Sequence, residues 1–331
     1  MSSEIGVTRR NVAGSVARAA PGLRPISHRP TGPEHGWADT LTTVHMWTQI
    51  VGKIRMAATP PLNHWWHVPL YVTAHGLTTS PMPHGDRLFQ IDFDFVDHRL
   101  VIEASDGRSF AIDLRPMSVA AFYRTLMREL QGIGIAVPIR TNPVEVVVAI
   151  PFDEDDEHAS YEREHVAELW SGLRAAHRRL TAFRGGFIGK ASPIHFFWGG
   201  FDLAVTRFSG RPAPLHPGSI PNCPDWVMYE AYSHEVSSAG WWPTSPEVGP
   251  AYYSYMYPQP AGFDRATVQP DPARYDTAYG EFVLREEDLR READPERAVM
   301  SFLESTYDAG ATLAAWDRGA LERAGRTTDG G

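Results

Sequence analysis

The sequence predicts an α+β fold of two similar lobes, each an antiparallel β-meander flanked by helices. Three observations predict it. Apolar runs of strand length are separated by very short turn signals, which favours antiparallel neighbours over parallel crossovers. Amphipathic helical patterns bracket those runs in each half. The order helix, strands, helix is met twice along the chain, an outline that an internal duplication would produce. The expected organisation is a disordered N-terminal tail over 1–36, a first lobe over 37–150, a second over 151–322 and a flexible tail over 323–331.

The first helix spans 38–58. Thr40 is its candidate cap, Leu41, Val44, Trp47, Val51 and Ile54 make an apolar stripe, and Pro60–Pro61 ends it. His45, Gln49 and Lys53 stand at i, i+4 and i+8 and share one polar strip. Four strand-like runs follow: HVPLYVTA, RLFQIDFDFV, RLVIEA and SFAIDL. In FQIDFDF, Phe89, Ile91, Phe93 and Phe95 alternate with Gln90, Asp92 and Asp94, the pattern of a half-buried sheet with one acidic face. A helix over 118–134 closes the lobe on glycines.

In the second half, a helix over 161–185 leads to SPIHFFW and FDLAVTRFSG, then to a proline-rich loop over 211–224. DWVMYEAYSHEVSSAGWWP and AYYSYMYP come next, and a long amphipathic helix is expected over 294–324. HWWHVPLYVTAHGLTTS can be set beside HFFWGGFDLAVTRFSGR with a two-residue slip, which makes His64 and His195 mates if the halves are duplicates. Convergence of two buried segments at sheet edges accounts for the match equally.

Composition narrows the functions. The chain has 331 residues, 43% hydrophobic and 21% charged, with a net charge of −9 that argues against a nucleic-acid partner. No apolar run approaches the roughly 18 residues of a membrane span, and the Arg-containing N-terminus lacks the apolar region of a secretory signal. One cysteine, Cys223, excludes an internal disulfide and any CxxC site. A cytoplasmic protein with a small-molecule substrate and no membrane partner is expected; the sequence leaves the oligomeric state open. Ten tryptophans, clustered in HWWH, HFFW and GWWP, suit a core or the wall of a pocket for a flat ligand.

The segments TVHMWTQIVGKIR, PPLNHWWHVPLYVTAHGLTTSP, FQIDFDFVDHRL, HFFWGGFDLAVTRFSGR and EAYSHEVSSAGWW resemble those of an uncharacterised bacterial family, domain-of-unknown-function family 5996. The resemblance spans roughly residues 37–320. It implies no particular reaction.

Several chemistries lack their motif. There is no GxGxxG after a strand and no GxxxxGK[ST] loop, so no nucleotide cofactor is expected; GxSxG is absent as well. His64, His67, His195 and His234 are the candidate metal ligands, for iron, copper or zinc. The spacing is not that of HExxH, and His64 and His67 can share an ion only if Pro60, Pro61 and Asn63 turn the chain. Glu235 is a candidate ligand or orienting carboxylate. In the strand after HFFW, Asp202, Ala204 and Thr206 share one face, and Leu203, Val205 and Arg207 the other. Arg207 among apolar neighbours requires a carboxylate, either an anionic ligand or an internal partner such as Asp202, Glu230 or Glu235. Arg211 could assist it.

The sequence therefore predicts a ligand cleft between the lobes, walled by Trp65, Trp66, Phe197, Trp198, Trp241 and Trp242, with Tyr232 and the His45, Gln49 and Lys53 strip as further substrate contacts. The leading expectation is a metal-assisted enzyme, with oxidative chemistry at iron or copper placed ahead of zinc hydrolysis and with Glu235 and Asp202 as catalytic carboxylates. Two others stand beside it: a binding protein for an aromatic or apolar molecule, and a metal-free acid–base enzyme using His195 with Asp202.

Overall fold

The computed structural model describes residues 35–244 and 248–323, so the tails expected at 1–36 and 323–331 lie almost entirely outside them. The fold is α+β, with two antiparallel six-stranded sheets. Helix α1 runs His35–Ala58, and the predicted stripe of Leu41, Val44, Trp47, Val51 and Ile54 is buried along it. Thr40 does not cap this helix, which starts before it. The Thr40 hydroxyl instead accepts from the Glu162 N–H (3.1 Å), tying α1 to the start of a later helix.

The first sheet is built from β1 (Tyr71–Val72), β2 (Gly76–Thr78), β3 (Met82–His84), β4 (Arg87–Asp94), β5 (Arg99–Ala104) and β6 (Ser109–Asp113). Its order is β1-β2-β4-β5-β6, with β3 also paired to β4. On β4, Phe89, Ile91 and Phe93 are buried, as the alternation requires. The acidic face is bonded locally: Gln90 donates to Asp92 Oδ2 (2.7 Å), whose Oδ1 has no partner among the described residues, and Asp94 accepts from the Val96 and Asp97 N–H groups of the following turn. The run HVPLYVTA is mostly not strand. A short 3-10 turn at Asn63–Trp65 precedes it, and only Tyr71 and Val72 join the ladder.

Helix α2 (Val119–Gly132) is capped by Ser118, whose hydroxyl accepts from the Ala121 N–H. Helix α3 (Arg163–Arg184) follows, then β7 (His195–Phe197), β8 (Asp202–Pro212), α4 (Asp225–Ala231), β9 (His234–Trp242), β10 (Ala251–Tyr257), β11 (Arg274–Asp276) and β12 (Glu281–Arg285). The second sheet has the order β11-β12-β10-β9-β8-β7. The chain ends in α5 (Glu286–Leu289), α6 (Pro295–Leu313) and α7 (Arg318–Leu321). The single long helix expected over 294–324 breaks after Leu313, because Ala315 takes a left-handed conformation (φ 50°) and Asp317 caps a new start.

The two sheets are stitched together where Leu70 and Phe196 exchange both backbone hydrogen bonds (3.0 and 2.9 Å). One continuous core then runs from α1, through β4 and β5, to α3, β8 and α6. Leu203, Val205, Trp241, Tyr252 and Phe282 belong to the core side of the second sheet, where α3 and α6 pack. The opposite face of that sheet is left for a cavity. Among the described residues no helix is long and apolar enough to cross a membrane.

Candidate functional site

The free face of the second sheet presents Asp202, Ala204, Thr206 and Phe208 from β8, Val236 and Ser238 from β9, and Tyr253 and Tyr255 from β10. These residues form one wall of a cavity of about 1050 Å³. The remaining walls are the His64–Trp66 turn, the segment 138–145, the Phe197–Gly199 stretch and the loop leading into α4. Trp65, Trp66, Phe197, Trp198, Trp226 and Tyr232 supply an aromatic lining. Trp65 packs against Trp226 (5.2 Å between centroids), and Trp226 is 58% exposed at the edge.

Two carboxyl groups face this cavity. Asp202, at the start of β8, is buried, and the Tyr253 hydroxyl donates to its Oδ2. Gly240 makes that contact geometrically available: a Cβ there would stand 2.4 Å from the Tyr253 hydroxyl oxygen and 2.3 Å from the Leu203 carbonyl, so only a glycine lets the ring lie across β9. Glu145 comes from the segment before α3. It holds a left-handed backbone (φ 59°), unusual for a residue with a Cβ, and its N–H donates to the Pro221 carbonyl (2.8 Å). Its Oε2 is closed off from solvent and has no hydrogen-bond partner among the described residues.

Gly199 and Gly200 admit both acids. A Cβ on Gly199 would lie 2.1 Å from Glu145 Oε1. One on Gly200 would lie 2.8 Å from Asp202 Oδ1 and 3.6 Å from Glu145 Oε2. The two carboxyl groups thus flank the same small space. Burial raises Glu145 to about 8, with repulsion from Asp202 adding to it. Burial also raises Asp202, to about 7, against the opposing effect of the Tyr253 hydrogen bond. Beside them, the Tyr232 and Tyr255 hydroxyls are hydrogen-bonded at 2.7 Å, and Thr206 meets Ser238 at 3.1 Å.

The polar strip of α1 builds the opposite wall. Lys53 lines the cavity and donates to the Asn142 carbonyl (2.6 Å); burial, and secondarily Arg140, lower it to about 8. Gln49 clamps Val144 on both sides, accepting from its N–H (2.9 Å) and donating to its carbonyl (2.8 Å). The His45 Nε2–H donates to the Trp198 and Gly199 carbonyls (2.9 and 3.0 Å), and burial depresses this imidazole to about 4. Of the three, Lys53 is the one that reaches the cavity. The other two hold its wall.

Of the four candidate histidine ligands, His64 and His234 approach each other, and His67 and His195 take up other settings. His64 sits at φ 57° with its ring 5.6 Å from that of His234. Its Nδ1 points to the Glu230 and Ala231 carbonyls and must carry the proton, so its Nε2 accepts from Lys190 (2.8 Å). His67 turns away, accepting from the Leu62 N–H and lying against Trp65. His195 is enclosed by Trp66, Tyr71 and Phe197, has neither ring nitrogen partnered among the described residues, and is lowered by burial to about 3. Among the described residues no group of three His, Cys, Asp or Glu side chains stands where it could hold a metal ion.

Other expected contacts lie elsewhere. Arg207 is buried on the core face of the sheet, opposite the cavity. The expected ion pair with Asp202, Glu230 or Glu235 does not form there. Its guanidinium lies over Phe183 (3.5 Å to the centroid) and Tyr307 (4.3 Å) and donates to the Phe183 carbonyl. Arg211 and Glu235 pair with each other, and Arg211 also reaches the Ala314 carbonyl at the end of α6. Trp241 faces the core side and donates to Glu286 (2.8 Å), while Trp242 stacks behind Tyr253 (4.9 Å between centroids). Neither lines the cavity, because the β9 register sends one through the sheet and the other behind a tyrosine.

Sequence reasoning missed Glu145, Tyr253 and Tyr255. Glu145 is a lone charge in NPVEVV, and an isolated carboxylate with apolar neighbours was its available signal. The alternation of AYYSYMY placed Tyr253 and Tyr255 on one face, but which face turns to a cavity depends on pairing with β9.

Fold and site together define an α+β protein with an aromatic cavity that holds two buried carboxyl groups. The model of a family of unknown function, DUF5996, matches residues 30–323, and the chain belongs to that family. No curated protein and no solved structure gives a match.

Proposed function

We propose that this protein is an enzyme that moves a proton onto or off a small, largely apolar substrate, with Asp202 as base and Glu145 as acid. The observation that carries the proposal is the pair of carboxyl groups flanking one space in an aromatic cavity. A carboxylic acid that stays protonated near neutral pH can donate, and a neighbour that ionises near 7 can accept; groups of matched pKa transfer protons best. Tyr253 positions Asp202, and the aromatic walls keep water from the reacting bond. His195 is not the partner of Asp202 in this reading, since it is packed behind Trp66. The single cysteine suits a cytoplasmic setting.

Proton-transfer catalysis can be sought before the reaction is known. Pooled small metabolites are incubated with the protein in D2O and examined by mass spectrometry for deuterium uptake or conversion. Uptake by the wild type that Asp202→Asn abolishes supports the proposal. Ligands that bind and return unchanged and undeuterated would make this a binding protein instead.

A metal-assisted reading, with iron, copper or zinc, draws its support from the approach of His64 to His234. It requires the metal to displace Lys190 from His64 Nε2. Elemental analysis of untagged protein, beside His64→Ala, tests it: stoichiometric metal lost in the variant would favour it over the acid–base reading.

A further inference from the structure

We infer that the cavity selects an organic cation: a planar aromatic or heteroaromatic molecule whose protonated nitrogen group lies between Glu145 and Asp202, above Gly200. This rests on the same cavity as the acid–base reading and names the class of molecule it takes.

Buried carboxylates in proteins are ordinarily compensated by a cation or by several N–H donors. Asp202 has the Tyr253 hydroxyl; Glu145 Oε2 has no partner among the described residues. Among the described residues neither acid is paired with a cationic side chain that lowers it; burial holds both up, and repulsion from Asp202 adds to the rise of Glu145. A ligand bearing two or more N–H donors and a positive charge would meet both needs. It would satisfy the orphaned oxygen and convert two mutually repelling acids into a paired anionic site, a substrate nitrogen that arrives neutral taking its proton from Glu145.

The surroundings agree with that ligand. Trp65, Trp66, Trp198 and Tyr253 line the cavity with aromatic surface, and Trp66 already has the Lys190 ammonium over its ring (5.2 Å to the centroid), the kind of contact a flat cation would make. The cationic residues of the lining are Lys53, which is held by the Asn142 carbonyl, and Arg140, which is exposed; neither is among the groups that shift Glu145 or Asp202. The other titratable groups of the lining are His64, Cys223, Tyr232, Tyr255 and Tyr253, whose hydroxyl is raised by burial well above its usual value. His64 is lowered, so it stays neutral at pH 7. The Cys223 thiol and the Tyr255 hydroxyl are each pushed up to about 12, and Tyr232 is raised as well. None of these groups supplies a competing charge near neutral pH. An anionic ligand would instead meet two acids, while Lys53 in the lining and Lys190 beside it are already hydrogen-bonded, to the Asn142 carbonyl and to His64.

The test uses three probes on one frame: benzamidine (cation), benzamide (neutral) and benzoate (anion), titrated calorimetrically into the full chain at pH 7.5. Phosphate and Tris buffers, which differ in ionisation enthalpy, count the protons exchanged. Benzamidine is expected to bind at least tenfold more tightly than benzamide, benzoate weakest, with net proton release as the acids ionise around the cation. Glu145→Gln and Asp202→Asn should each lose about tenfold of benzamidine affinity and reduce the release, leaving benzamide little changed. Circular dichroism confirms that the variants fold; the wild-type charge series decides even if they do not.

Equal or tighter binding of benzamide or benzoate overturns the inference. So does the absence of binding by all three at millimolar concentration, or benzamidine binding that ignores both substitutions. Cation selection without deuterium exchange would leave this inference standing and remove the catalytic reading. Exchange on neutral or anionic compounds that benzamidine does not inhibit would do the reverse.

Discussion

The Tyr253 hydroxyl donates to the Asp202 carboxylate from a strand that is not its neighbour: β9 lies between β8 and β10, and Gly240 is the residue over which the ring passes. This bond opposes the desolvation that raises Asp202. Tyr253→Phe removes it while keeping the ring against Trp242. Asp202 should then titrate about one unit higher, the scale expected for loss of one hydrogen bond to a charged group. The acid limb of the pH–rate profile moves up with it, and turnover below neutral pH falls about tenfold. A profile unchanged in position would show that Asp202 is not the titrating base.

Stability should fall as pH rises from 6.5 to 8. Glu145 and Asp202 have folded pKa values of about 8 and about 7, above their unfolded values, so the folded state binds more protons in this range. Their contribution is fully present below the unfolded pKa and is lost as pH passes the folded one, at up to about 1.4 kcal/mol per pH unit for each group. His45 and His195 act oppositely. With folded values of about 4 and about 3, they cost stability only as pH drops below 6.5. The depressed Lys53, at about 8, begins to act in the opposite sense to the acids only at the top of this range. Urea titrations at pH 6.5, 7.2 and 8 should therefore give a declining midpoint, and the double variant Glu145→Gln/Asp202→Asn should flatten it. A midpoint that rises over this range in the wild type would contradict the assignment.

Much of the scaffold was legible because it is local. The stripe on α1, the alternation on β4 and the split of β8 into Asp202, Ala204 and Thr206 against Leu203, Val205 and Arg207 all follow from one residue's spacing to the next. The aromatic wall of Trp65, Trp66 and Trp198 was legible too. What the sequence could not carry was pairing at a distance. Arg207 was read correctly as a cation on an apolar face, yet its satisfaction comes from Phe183 on α3 and Tyr307 on α6, which no local pattern links to it. Glu145 joins the site through Gln49, Pro221 and two glycines. None of these is near it in sequence, and its own segment has no period to read.

The Gln49 clamp on Val144 gives the clearest stability test. One buried amide satisfies both main-chain groups of the residue before Glu145. Gln49→Ala leaves a donor and an acceptor unpaired, which should cost about 2–4 kcal/mol in urea unfolding. The same change frees the wall that presents Glu145, so benzamidine affinity should fall in variant protein that is still folded. A loss below about 0.5 kcal/mol, the size typical of surface substitutions, would mean that the 138–145 segment is held by other contacts.

Gly199 and Gly200 separate the two acids experimentally. Neither has a left-handed backbone, so alanine there acts through its methyl group alone. At position 199 the methyl would meet the far end of Glu145, whose Oε2 has no bond to break. The side chain can swing away, and Gly199→Ala should cost only about 1 kcal/mol of stability while removing Glu145 from the site. At position 200 the methyl would press on Asp202 Oδ1, and Asp202 is pinned by Tyr253. Relief there needs the tyrosine or the strand to move, so Gly200→Ala should be the more destabilising, by about 2–3 kcal/mol. The two variants are thus expected to differ in opposite senses. Gly199→Ala should resemble Glu145→Gln in ligand binding at nearly wild-type stability, whereas Gly200→Ala should lose stability first. Equal losses of stability in both, measured by urea unfolding at pH 6.5, would mean that Asp202 is no more firmly held than Glu145, and the assignment of Tyr253 as its positioning residue would fall with it.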